Sequence, residues 1–207
     1  MHPCEPISPA AGINNYPSLL LQIILLFVLQ LVAPFVAGCR SNDPAAAAAR
    51  AGAASAPITI SSTSLQNGRV PKKFTCDGND TSPTLNWTAP PSGTRSLVLT
   101  VTDPDAPGGT FTHWVLFNVP ASSNALPAGV PTQGQLTDGS RQGQNDFGKP
   151  GYGGPCPPRG STHRYFFDLF ALDKDLDLPS GATRAQVEDA IGTHVLARSK
   201  LMARYGR

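Results

Sequence analysis

The pattern of apolar and polar positions is sharpest over residues 96–119, SLVLTVTDPDAPGGTFTHWVLFNV. Leu97, Leu99 and Val101 fall on one face of an extended chain, and Val98, Thr100 and Thr102 on the other. Both faces are apolar or β-branched, which predicts a central strand covered on both sides. Pro104 and Pro107 then fix φ and remove ladder donors, and Gly108 and Gly109 let the chain turn. A second strand opens at His113 and runs to Val119. A third opens at His163, with aromatics on both faces as far as Leu172. Shorter strands are predicted at 58–61, 70–75 and 85–88, with turns at Gln66-Asn67-Gly68 and Asp77-Gly78 between them. Residues 122–160 are irregular and Gly-rich, and a loop this long usually shapes a site. Toward the C-terminus the period changes. Val187, Ile191, His194, Val195, Arg198 and Met202 trace one stripe, and Thr183 with Gln186 fits a capping box, so the spacing predicts a helix over 183–204.

Composition agrees with a mainly β domain. Gly and Pro number 20 and 21 in 207 residues, and only 14% of residues are charged, which suits a loop-rich sheet protein. The net charge is +2, and no dense Lys/Arg stripe marks a nucleic-acid partner.

Three regions divide the chain. Residues 19–36 are an almost unbroken apolar run, followed by Val36-Ala37-Gly38-Cys39. Small residues before a Cys resemble the lipobox of bacterial lipoproteins, in which the thiol is lipidated and becomes the new N-terminus. Residues 1–38 are accordingly read as a signal peptide. The segment before the run carries no Lys or Arg, which leaves an uncleaved anchor as the other reading. Arg40, rather than an Asp, follows Cys39, and by resemblance to lipoprotein sorting this leans toward the outer membrane. Residues 39–57 are Ala-rich and serve as a tether. The domain occupies 58–207.

Chemistry gathers at the strand ends. A hairpin over 96–119 brings Asp103 and Asp105 opposite His113, and His163 and Tyr165 share a face of the later strand. Each has a plainer role open to it: the Asp-Pro dipeptides as turn formers, Tyr165 as a strand aromatic. DPDAP, HW, GPCPPRG and HRY, in that order, with FTCDG at 74–78, SPTLNW at 82–87 and DFGKPGYGGPCPP at 146–158, resemble the phosphatidylethanolamine-binding protein family, in its bacterial branch. The resemblance runs from about Ile58 to Tyr205. It implies a β-sandwich with an antiparallel central sheet, a long pocket-shaping loop and a C-terminal α-helix. It also implies that Asp103, Asp105, His113, Pro157, His163 and Tyr165 line a small anion-binding pocket, and it links such domains to inhibition of kinases or proteases.

Imidazoles, a phenol and backbone N–H groups of a Gly/Pro loop suit a phosphate, a carboxylate or a phospholipid headgroup, with the carboxylates orienting and charging the imidazoles. No cofactor is implied. Two other classes stay open. Asp and His could act as general base and acid in a hydrolase, although no Ser or Cys nucleophile stands in an activating motif. Two His and two Asp could ligate Zn²⁺, although their spacing is wide. Of four cysteines, Cys4 lies in the presequence and Cys39 is assigned to lipid. An exported domain then leaves Cys76 and Cys156 to form a disulfide, or to pack as two free thiols.

Overall fold

The computed structural model describes residues 57–207. The segments read above as a signal peptide and a tether, with Cys39, fall within residues 1–56 and lie outside the described residues. The larger sheet is built on β3 (Ser96–Asp103), whose two faces are both apolar. Such a strand is stable only in the middle of a sheet with a layer on each side. β4 (Phe111–Pro120) and β7 (Thr162–Leu172) flank it, both antiparallel. β6 (Arg141–Gln142) lies beyond β4, and β8 (Val195–Gly206) beyond β7. A smaller antiparallel sheet comprises β1 (Ile60–Ser61), β2 (Leu85–Trp87) and β5 (Ala125–Leu126).

The two faces of β3 feed two cores. Leu97, Leu99 and Val101 pack with Trp114, Leu116, Phe167 and Leu169 against Ile60, Leu85 and Trp87 of the smaller sheet. Val98, on the other side, joins Val115 and Phe117 under Val187 and Ile191 of α1 (Arg184–Ile191).

Two predicted elements are corrected. Residues 70–75 do not form a strand. Pro71 has no N–H to pair and holds φ at −61°, and a 3₁₀ turn, Lys72–Phe74, follows it. The predicted helix over 183–204 stops at Ile191. Thr183 makes the capping box with Gln186, but Gly192 takes φ 44° and the chain turns back as β8. From Leu196 onward its exposure alternates. Ala197, Leu201 and Tyr205 pack against the inner core, while Arg198, Lys200, Met202 and Arg204 are exposed. His194 sits in the turn between the two elements, its Nδ1 2.8 Å from Asp173 Oδ1 at the surface.

Candidate functional site

The site begins with an irregularity in the sheet. Val101 of β3 lies opposite Trp114 of β4, yet Thr102 lies opposite Thr112, so His113 is an extra residue with no partner. Regular alternation would turn its ring to the helix-covered face, with Val115 and Phe117. The bulge turns it instead toward Tyr165 on the other face, with ring centroids 5.2 Å apart. The bulge also frees the His113 backbone. Its carbonyl accepts from the Gly153 N–H at 2.9 Å, and its Nδ1 donates to the Gly153 carbonyl at 2.7 Å. A carbonyl facing Nδ1 fixes the proton there and leaves Nε2 as the nitrogen open to a ligand. Burial pushes the His113 pKa down, against the opposing pull of the Gly153 carbonyl and the Asp103 carboxylate. At this histidine desolvation outweighs the charging effect of the nearby carboxylates.

Asp103 ends β3, and its Oδ2 accepts from His163 Nδ1 at 2.8 Å. The two side chains are only 4% and 8% exposed, so the pair is screened from water. Asp103 Oδ1 takes the Asp105 N–H at 2.9 Å, which fixes the carboxylate plane. Ser161 Oγ stands 3.3 Å from His163 Nε2 and donates to the Pro158 carbonyl at 2.7 Å.

Asp105 and Tyr165 are placed differently. The Asp105 carboxylate accepts from the Arg164 N–H, Nε and NH2 at 2.9, 2.9 and 2.6 Å. The guanidinium holds its pKa down to about 2. This carboxylate is therefore engaged at the outer rim rather than with the imidazoles. Tyr165 lies behind His113, fully buried. Among the described residues its hydroxyl and Arg207 Nε are the buried side-chain polar atoms without a hydrogen bond. Burial first, and then the Asp103 charge, raise the phenol pKa well above its ordinary value.

Asp103, His113 and His163 form the floor of a pocket of about 250 Å³, with Pro157 in its wall. Ala106 and Pro107 of the β3–β4 turn, Phe111, Phe147, Cys156 and Pro158 complete it. The wall is clamped from behind. A Cys76–Cys156 disulfide, with Cα atoms 5.4 Å apart, ties it to residues 74–80. Tyr152 donates its hydroxyl to the Phe74 carbonyl at 2.8 Å, and Asp80 accepts from the Gly154 N–H at 2.6 Å. A Cβ on Gly154 would stand 2.4 Å from the Phe74 carbonyl oxygen, so the approach requires glycine. Phe147 is 45% exposed at the mouth, its ring 4.8 Å from Phe111 and 5.5 Å from His113. The buried Asn145 holds that turn, accepting from the Phe147 N–H at 3.0 Å.

Of the six residues predicted to line the pocket, the fold brings Asp103, His113, Pro157 and His163 into its lining. Sequence reasoning missed Phe111, Phe147 and Ser161. An aromatic set between Asn145-Asp146 and Gly148 in a long loop was the available signal for Phe147. Among the described residues, no group of three or more His, Cys, Asp or Glu side chains is placed to hold a metal ion.

Comparison with known proteins gives one consistent result. The family model described as phosphatidylethanolamine-binding protein matches residues 60–206. A UPF0098 protein of Methanothermobacter thermautotrophicus is 51% identical over 140 residues, covering 68% of this chain and 92% of the relative. A Mycobacterium tuberculosis protein named as a candidate lipoprotein, LppC, is 37% identical over 154 residues, covering 73% of this chain and 74% of its own length. The crystal structure of Escherichia coli YbcL superposes with a TM-score of 0.67 at 32% identity, over 73% of this chain and 99% of that one.

Proposed function

The chain belongs to the phosphatidylethanolamine-binding protein family, and from that premise we propose that its pocket binds a small oxyanion: a phosphate, a carboxylate or a phospholipid headgroup. The observation that carries this reading is the pocket floor, where the screened Asp103–His163 pair and His113 Nε2 meet beneath apolar walls. An anion reaching the floor meets imidazole donors in a low-dielectric site, where charge-assisted hydrogen bonds are strong. A pocket of about 250 Å³ suits a headgroup-sized ligand, being smaller than typical drug-sized sites.

Calorimetry with phosphate and phosphoethanolamine tests this. His163→Ala should weaken binding by about 1.5–3 kcal/mol, the usual worth of a hydrogen bond to a charged group. Arg95→Ala, at a surface ion pair just before β3 and at the opposite end from Asp103, should change nothing. Unchanged affinity in both His163→Ala and His113→Ala would end the proposal.

One observation favours hydrolysis as a second reading. Ser161 Oγ, His163 and Asp103 stand in the hydrogen-bond order of nucleophile, base and orienting carboxylate. The hydroxyl would have to leave the Pro158 carbonyl and give its proton to Nε2. Aryl-ester turnover abolished by Ser161→Ala would support this reading; equal turnover in that variant would remove it.

We also place the chain in the cell envelope, lipid-anchored through Cys39. The apolar run, the small residues before Cys39 and the candidate-lipoprotein relative support this. The mature protein should begin at a lipid-modified Cys39 in intact-mass measurement; recovery of the unmodified full-length chain from membranes would refute it.

A further inference from the structure

The sheet face away from the inner core is only half covered. α1 packs over Val98, Val115 and Phe117 of β3 and β4. Past it, β8 presents Arg198, Lys200, Met202 and Arg204 in alternation, in register with Phe170, Asp168, Phe166 and Arg164 of β7. Four large apolar side chains are exposed among the described residues, and three of them, Val195, Leu196 and Met202, lie on β8. The cations lie over aromatic rings, Lys200 Nζ 4.9 Å from the Phe166 centroid and Arg198 4.8 Å from that of Phe170. Asp168 pairs with Arg198 and Lys200 at 2.7 and 3.4 Å. Arg204 has no acidic partner among the described residues. Neither does Arg69, which a backbone bridge sets beside it. These two arginines line a polar cleft of about 310 Å³ with Thr162, Met202 and Tyr205.

We propose that this exposed face of β8 docks the domain on an anionic phospholipid surface, with lipid phosphates between Arg69 and Arg204 and with Leu196 and Met202 reaching the acyl boundary. A single outward row in which cations stand between and beside aliphatic side chains suits an interfacial element: long cationic side chains stay at the phosphates while their neighbours bury. The occupant is a membrane because Arg69 and Arg204, without acidic partners among the described residues, are charge-complementary to lipid phosphates, and because the tether brings lipid within reach. The Ile60 N–H bonds Ser199 Oγ at 2.9 Å on the inner-core side of β8, and the Pro57 carbonyl lies beside Thr88, so the described chain begins next to this edge strand on its other face. The eighteen residues 40–57 span at most about 60 Å in any conformation. Anchored at Cys39, they are long enough to let this face turn to the lipid, and a high effective concentration makes weak surface contacts count. The inference rests in this respect on the envelope anchoring proposed above.

Met202 tests it directly, being the sole methionine besides Met1. The full chain is reconstituted on vesicles of phosphatidylcholine alone or with phosphatidylglycerol, and peroxide oxidation of Met202 is followed by mass spectrometry. Oxidation should be severalfold slower on the anionic vesicles, and the protection should vanish at about 0.5 M salt, where screening is nearly complete beyond a few ångströms. Lys200→Gln with Arg204→Gln should weaken docking on the order of 25-fold, at about fivefold per cation. This pair leaves the Arg198–Asp168 contact in place to protect the fold. Equal Met202 oxidation on both vesicle types overturns the inference, and so does protection that only an acidic polypeptide confers. Retention on neutral vesicles reports the anchor and Met202 protection reports the face, so the two readings fail separately.

Discussion

At the scale of single residues, the charge state of His113 governs how the site responds to pH. Burial lowers its pKa in the folded chain, below the roughly 6.5 of an unfolded histidine. The unfolded chain therefore takes up this proton first. The stability His113 contributes is complete above about pH 6.5 and is lost as pH falls through its lowered folded pKa. An anion on Nε2 has the opposite effect on the ring, favouring imidazolium. Binding should take up a proton, and affinity should rise as pH falls through the histidine range. Calorimetry with sulfate, whose own charge is constant over this range, measures the trend; a flat profile would show that no histidine meets the ligand. The residues of the floor were legible because Asp, His and Tyr stand out against an apolar strand. Their division of labour was not. Asp103 and Asp105 look alike in sequence, and only the fold shows that Arg164 occupies one and His163 the other.

At the scale of elements, β3, β4 and β7 could be read because each carries a full period-two pattern and is bounded by Pro and Gly. The C-terminal helix was misread because Ile191, Val195, Arg198 and Met202 satisfy a 3.6-residue period while the last three lie in a strand. Gly192, at φ 44°, was the stop signal, and the alternation after it was the correction. Two adjacent glycines of the pocket loop give a graded test. A Cβ at Gly153 would stand 2.5 Å from the Phe147 ring, a side chain at the pocket mouth that can swing aside. At Gly154 it would meet the Phe74 carbonyl at 2.4 Å and the Thr75 Cα at 2.8 Å, which are backbone. Gly154→Ala should therefore cost about 1–3 kcal/mol or more in urea unfolding. Gly153→Ala should cost less stability and change ligand affinity. The reverse order would mean that the loop, rather than Phe147, yields.

At the scale of the whole molecule, the disulfide joins positions 80 residues apart, one of them in the pocket wall. Closing a loop of that size contributes about 4 kcal/mol in the chain-entropy model. Cys76→Ser with Cys156→Ser should lower the urea midpoint accordingly and weaken ligand binding; an unchanged midpoint would assign the wall's rigidity to Tyr152 and Asp80 alone. The pairing could be read from the cysteine count, whereas the two-sheet arrangement came from motif order, since strands as short as Ile60–Ser61 and Ala125–Leu126 leave no periodic trace. The bulge at His113 left no trace either, and it sets stability against function. A chain shortened by that one position would join Thr112 directly to Trp114 and restore regular pairing at this point of the ladder. It should be at least as hard to unfold, and it should bind the proposed anion more weakly. Drift toward sturdier variants would then run toward a regular sheet, and the ligand proposed for His113 is what would hold the extra residue in place.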